Sequence, residues 1–248
     1  MAHAETGSGV RRGSRPRRGA AVVAVAAGLI LLALAGPRFA GGLIVAPHSS
    51  IAARLARGET VEPPRLRRAI EAHRTALSIY DNPRDRARLG ELCLSAAHMA
   101  GVQSREGARL LDCAIEAHRD ALARSPALPY SWSQLAVALY GRQGGTDAFR
   151  TAFREAMTAA PRTRRLVLAH VRLGLRSWQT LDAGLREEVR ERLAWAVENV
   201  PRHLTRRLER PLDVRLALSL LAGQPGLRCR LAAAWQQRSF DGCAALGS

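Results

Sequence analysis

The 248-residue chain has no lysine, so its basicity is carried by 38 arginines, set against 21 Asp and Glu, for a formal net charge of +17. Arginine stays protonated at any physiological pH and pairs well with carboxylates and phosphates, so an anionic partner segment is favoured, although a GC-rich genome alone also explains the bias. Aromatic side chains are only 4% of the residues. With no recognised nucleic-acid-binding motif either, nucleic acid is a disfavoured partner. β-Branched residues are too sparse for strands, which excludes a sheet-based fold. The nucleophile elbow, the P-loop, the dinucleotide fingerprint and HExxH are all missing, as is the spacing of paired acids that an enzyme acting on polysaccharide needs. No enzymatic activity, catalytic residue, cofactor or metal site is therefore expected.

Charge is unevenly placed. Before residue 50 there are six arginines and one acid, Glu5, leaving 32 Arg against 20 Asp and Glu for the rest. Residues 11–18 read RRGSRPRR, and residues 20–36 form an uncharged apolar run of 17 that ends at Pro37 and Arg38. Such a run is at the short limit for crossing about 30 Å of hydrocarbon. Ala33-Leu34-Ala35 also offers the small-x-small pattern of a signal-peptide cleavage site, so both a cleaved leader and an uncleaved anchor stay open. The long charged region favours the anchor. Five arginines before the run, against Arg38 alone close after it, put the N-terminus in the cytoplasm and export the rest, giving a single-pass bacterial inner-membrane protein with a periplasmic domain.

From Leu66 onward apolar residues recur at spacings of three and four, which predicts an all-α fold. A ten-residue segment occurs twice, as AIEAHRTALS (69–78) and AIEAHRDALA (114–123), and prolines at 83, 126, 161 and 201 divide the chain into intervals of 43, 35 and 40 residues. Each interval accommodates a pair of helices and a turn. Asn82-Pro83 and Ser125-Pro126 read as a capping residue followed by proline at the first helical position. The expected divisions are a basic tail 1–19, a transmembrane segment 20–37, a linker 38–64 rich in Gly, Pro, Ser and Ala, helical repeats 65–210 and capping helices 211–248. The last part is expected to hold two helices, 211–222 and 227–238.

Between Pro126 and Pro161, Trp132, Leu135, Ala136 and Tyr140 are followed by Ala148, Phe149, Ala152, Phe153 and Ala156. The stretch resembles a tetratricopeptide repeat, with one inserted residue in each half that places Tyr140 and Phe153 one position late. The preceding unit is poorer, with Leu89, Leu92 and Cys93 at the matching positions. The resemblance implies a solenoid of helical hairpins whose first helices line a concave surface. Tyr130, Ser133, Val137 and Tyr140, then Arg165, Leu168 and Arg172, are the residues expected to face it.

Four cysteines in an exported chain invite disulfides. An antiparallel hairpin of helices 90–100 and 107–123, turning near Gln103, sets Cys93 opposite Cys113, leaving Cys229 and Cys243 as the second pair. Four buried thiols are the alternative. Cys93, His98, Cys113 and His118 do not make a zinc site, because each histidine lies five residues from its cysteine, about 7 Å along the axis and on another face. The run of Arg and Glu from 186 to 192 reads as a solvated helix face of ion pairs.

The order PYSWSQLAVAL, a proline-ended helix and VRLGLRSWQTLDAGLREEVRERLAWAVENVPR resembles repeat regions of small anchored VpsP-like proteins associated with bacterial exopolysaccharide or capsule biosynthesis. That resemblance implies a non-catalytic accessory or scaffold protein acting through protein–protein binding, its partners being polymerase or export components. An acidic polysaccharide is a further candidate ligand. A general periplasmic scaffold for envelope or division machinery has the same fold and anchor, and stays open as the alternative.

Overall fold

The computed structural model describes residues 16–57, 59–161, 163–237 and 243. The tail 1–15, most of the charge that sets orientation, and the end of the last expected helix at Arg238 lie outside them. Every regular element among the described residues is helical: α1 (Pro16–Val45), α2 (Ser49–Ala56), α3 (Pro63–Ile79), α4 (Pro83–Ala100), α5 (Arg105–Arg124), α6 (Pro129–Gln143), α7 (Asp147–Ala159), α8 (Arg164–Arg176), α9 (Ala183–Asn199), α10 (Pro201–Arg207), α11 (Pro211–Leu220) and α12 (Pro225–Trp235).

The helix starts follow local chemistry. Proline opens α3, α4, α10, α11 and α12, where a missing N–H leaves no bond unmade. Asn82 accepts from the Arg84 N–H, Ser104 from Gly107 and Asp182 from Leu185, each at 2.9 Å, which satisfies donors that have no partner within the helix. Pro129, not Pro126, opens α6, and Pro126 sits in the preceding turn.

The first 15 described side chains of α1, residues 21–35, are exposed, and they belong to the one described helix that is long and apolar enough to cross a membrane. Residues 38–57 do not form the expected free linker. α1 continues through Pro37 to Val45, a 3-10 turn covers Ala46–His48, and α2 buries Ile51 and Ala52. The continuation holds because it packs. Gly41 sits against α3, where an added Cβ would lie 3.5 Å from the Ala76 carbonyl and 3.8 Å from Tyr80 Cβ, and Arg38 Nε donates to Tyr80 Oη at 2.8 Å. These pairs run antiparallel, so the end of α1 fills the place of a first helix beside α3.

α4 and α5 pair antiparallel through Cys93–Cys113, whose Cα atoms are 6.0 Å apart, and through Gly90, which faces His118. α6 and α7 pair through a file of rings in which the centroids of Tyr140 and Phe149 are 5.1 Å apart and those of Phe149 and Phe153 are 5.6 Å apart. One apolar core joins α2–α7 to Leu173 of α8 and the start of α9, and a second joins α8, α9 and α10–α12. Two helices, α11 and α12, occupy the stretch where 211–222 and 227–238 were expected. α10, just after Pro201, is an additional short helix.

Gly90 gives a direct test of the α4–α5 contact. A Cβ there would lie 2.6 Å from His118 Nε2 and within 2.8 Å of its neighbouring ring atoms, and the rigid imidazole cannot fold away. Gly90→Ala is expected to destabilise the protein by about 1–3 kcal/mol through overpacking, less up to about 1 kcal/mol of helix propensity. Adding His118→Ala should return part of that loss, so that the double variant is more stable than additivity predicts in urea titrations. Strict additivity of the two changes would rule out the contact.

Candidate functional site

The residues expected on the concave surface separate into two groups. Ser133 and Leu168 are buried, 5% and 7% exposed, and do not belong to a binding surface. Ser133 Oγ lies 3.0 Å from the Pro129 carbonyl and 2.9 Å from His170 Nε2, while Leu168 packs in the second core. Val137 is half-buried against the first core, and Tyr140, also half-buried, spends its hydroxyl on the Arg176 carbonyl at 2.8 Å. Tyr130 and Arg165 are exposed. Arg172 is half-buried and donates to Glu209 at 2.8 Å.

The physical reason is tertiary cover. Ser133 precedes the insertion and is in register with Trp132, Leu135 and Ala136, but its hydroxyl meets His170 of α8, and Leu168 packs with residues of α9–α12.

Ser133 and His170 form a hydroxyl–imidazole pair 37 residues apart that no local motif announces. The pair does not have the makings of a nucleophile. His170 is 1% exposed, its Nδ1 has no hydrogen-bond partner, and burial pushes its pKa down to about 4. The arrangement that satisfies both groups has Nε2–H donating to Ser133 Oγ, whose own proton goes to the Pro129 carbonyl. A neutral imidazole that donates toward the hydroxyl cannot also take its proton, and substrate has no route to either group.

His118 is likewise 1% exposed, with no partner at either ring nitrogen, and burial takes its pKa to about 4. His73, its counterpart in the duplicated segment, bonds the Ala69 carbonyl through Nδ1 at 2.9 Å. Among the described residues no three His, Cys, Asp or Glu side chains gather as a metal site would require. Cys229 and Cys243 come together at a Cα separation of 5.5 Å, tying α12 to the tail.

Arginine turns out to be a fastener as well as a surface charge. Arg192, expected on a solvated face, is 11% exposed and donates to the Met157 carbonyl at 2.8 Å, closing the C-terminal turn of α7 from α9. Arg150 reaches the Thr180 carbonyl at 3.1 Å, and Arg230 the Glu198 carbonyl at 3.0 Å. Asp213, 2% exposed, is held by Arg210 at 2.8 Å and faces Arg176 at 3.6 Å, which fixes α11 to α8.

The surface of the described residues includes two clefts with polar and charged walls. The larger, of about 610 Å³, has Arg202, Thr205 and Arg206 on one wall and Ala234, Trp235 and Gln237 on the other. Trp235 is 41% exposed, so its indole and the two guanidinium groups offer a flat apolar face beside positive charge. The smaller, of about 380 Å³, opens between α1 and the α3–α4 corner and is lined by Arg38, Gly41, Gly42, Val45, Ala76, Tyr80, Asn82 and Asp85. Comparison with protein-family models finds no match, and comparison with curated proteins finds no relative.

Proposed function

We propose that the chain is a non-catalytic, membrane-anchored scaffold of the bacterial envelope, with its C-terminal domain in the periplasm, that acts by binding other proteins. The observation that carries this reading is the continuity of an exposed apolar helix with the packed helical body: the end of α1 is both the root of the anchor and a wall of the domain. A sealed Ser133–His170 pair and helix ends tied by arginine fit a rigid support better than a reaction centre. The paired helices α4–α5 and α6–α7, with Tyr140 and Phe153 reaching α8, support a degenerate tetratricopeptide-like solenoid. The setting is polysaccharide biosynthesis or export, as the resemblance of the Pro126–Arg202 stretch implies. Its partners there are polymerase or export components.

Tyr130 and Arg165 are the exposed members of the expected surface, and they carry the test. Affinity capture from crosslinked envelopes with Tyr130→Ala plus Arg165→Glu is expected to lose the captured partner by at least tenfold at unchanged protein level. Arg172 stays native in this variant because reversing it would set like charge against Glu209. An unaltered set of captured proteins would refute this surface.

A further inference from the structure

The smaller cleft stands where the apolar helix meets the body. Arg18 and Arg38 bracket the uncharged run, and twenty residues of α-helix span about 30 Å, the thickness of the hydrocarbon layer. If α1 spans, Arg38 is therefore at the hydrocarbon boundary. Gly41 and Gly42 lie a turn further on, about 5–6 Å along the axis, which is the depth of the headgroup layer. The cleft opens at that level.

Its chemistry has two poles. Arg38 holds its guanidinium 5.2 Å from the centre of the Tyr80 ring and gives its Nε–H to Tyr80 Oη, an arrangement that orients the cation without neutralising it. Across the cleft Asp85, half-buried in the first turn of α4, makes no ion pair or hydrogen bond among the described residues. The neighbouring acid Asp81 is already taken by Arg86 and by Arg124, at 2.5 and 2.7 Å. Gly41 and Gly42 leave the wall between the poles without side chains. Phe39, 69% exposed, adds an apolar aromatic side chain at the same level.

We propose that this cleft seats the headgroup of a zwitterionic aminophospholipid of the phosphatidylethanolamine type, its phosphate on Arg38 and its ammonium on Asp85. A ligand with an anionic and a cationic group a few atoms apart meets both poles. A phosphatidylglycerol headgroup places the same phosphate on Arg38 but offers Asp85 only neutral hydroxyls in place of a cation. A choline headgroup carries the positive charge but has no N–H to donate to the carboxylate. The site rests on the reading of α1 as a membrane span.

The test uses the full chain in a mild non-ionic detergent, offered phosphatidylethanolamine, phosphatidylglycerol and phosphatidylcholine in equal amounts, with bound lipid read by native mass spectrometry. Phosphatidylethanolamine is expected at least tenfold above either competitor. Asp85→Asn should abolish its advantage over phosphatidylcholine, and Arg38→Gln should lower retention of both, with helix content and melting temperature confirming that the variants fold. Equal retention of the three lipids, preference for phosphatidylglycerol, or selectivity that survives both substitutions would overturn the site. Carbonate extraction of native membranes separates the two readings. A chain that stays in the membrane but shows no selectivity refutes the lipid site alone, whereas release into the supernatant refutes the span and the site with it.

Discussion

Taking the full chain in mild detergent from pH 7 to pH 5 is expected to lower its unfolding free energy by about 4 kcal/mol, roughly 2 kcal/mol from each of His118 and His170. Both are buried at helix–helix contacts, and burial holds each pKa at about 4, against an ordinary value of 6.5. Between pH 6.5 and 4 the unfolded chain binds protons at these positions and the folded chain does not. Acid therefore favours unfolding across that window, and the full stabilising contribution is present only above it. Lowering of the His73 pKa by burial acts in the same direction. Urea midpoints at the two pH values read the effect. His118→Leu should remove about half of the pH dependence and, by deleting two nitrogens with no partner, should cost little stability at pH 7. A variant with the native pH slope would show that His118 is not one of the groups responsible.

Which arginines face a partner could not be read from composition. The surplus of positive charge suggested an anionic ligand, yet Arg150, Arg192 and Arg230 give hydrogen bonds to backbone carbonyls between elements, and Arg176 and Arg210 enclose a buried Asp213. A guanidinium has five N–H groups in a planar fork, so one side chain can serve a carbonyl and a carboxylate at once. Part of the charge that looked available for binding is consumed in joining helices. Arg202 and Arg206 of α10, beside Trp235 of α12, lie beyond the two helices from which the surface residues were chosen.

The helical character and the order of pairing were legible because they depend on periodicity and on prolines that can only start or stop a helix. The path of residues 38–57 was not. Pro37, Gly41 and Gly42 read as helix breakers in isolation, and a proline inside a helix costs about 3 kcal/mol. That local cost is offset by tertiary contact: the end of α1 packs on α3, with Gly41 against Ala76 and Tyr80 and Arg38 bonded to the Tyr80 hydroxyl. Ser133 and Leu168 were misplaced because the helices that cover them lie outside the repeat from which the face was assigned: Ser133 meets His170 of α8, and Leu168 packs with residues of α9–α12. The cysteine positions survived that uncertainty because two antiparallel helices of one hairpin fix their own register about the turn, whatever the neighbouring repeats do.

That register makes the Cys93–Cys113 bond the second change with a large expected effect. Closing the 20 residues that separate the two cysteines is expected to stabilise the folded protein by about 3 kcal/mol, chiefly by restricting the unfolded chain. The double variant Cys93→Ala, Cys113→Ala should lose that amount, plus a small packing term from Cys93, which is fully buried. The Cys229–Cys243 pair encloses 14 residues and carries a similar entropic share, and each of the two bonds joins a buried cysteine, Cys93 or Cys243, to a half-buried one, Cys113 or Cys229. The Cys93–Cys113 bond is held between two helices packed along their length, whereas the Cys229–Cys243 bond ties only the tail to α12, so reductant is expected to open the C-terminal bond first. Timed alkylation of native protein, read by peptide mass spectrometry, distinguishes the two. Labelling of Cys93 as early as Cys229, or a double alanine variant as stable as the native chain, would mean that the α4–α5 hairpin is held by packing around Gly90 and His118 and not by a covalent bond.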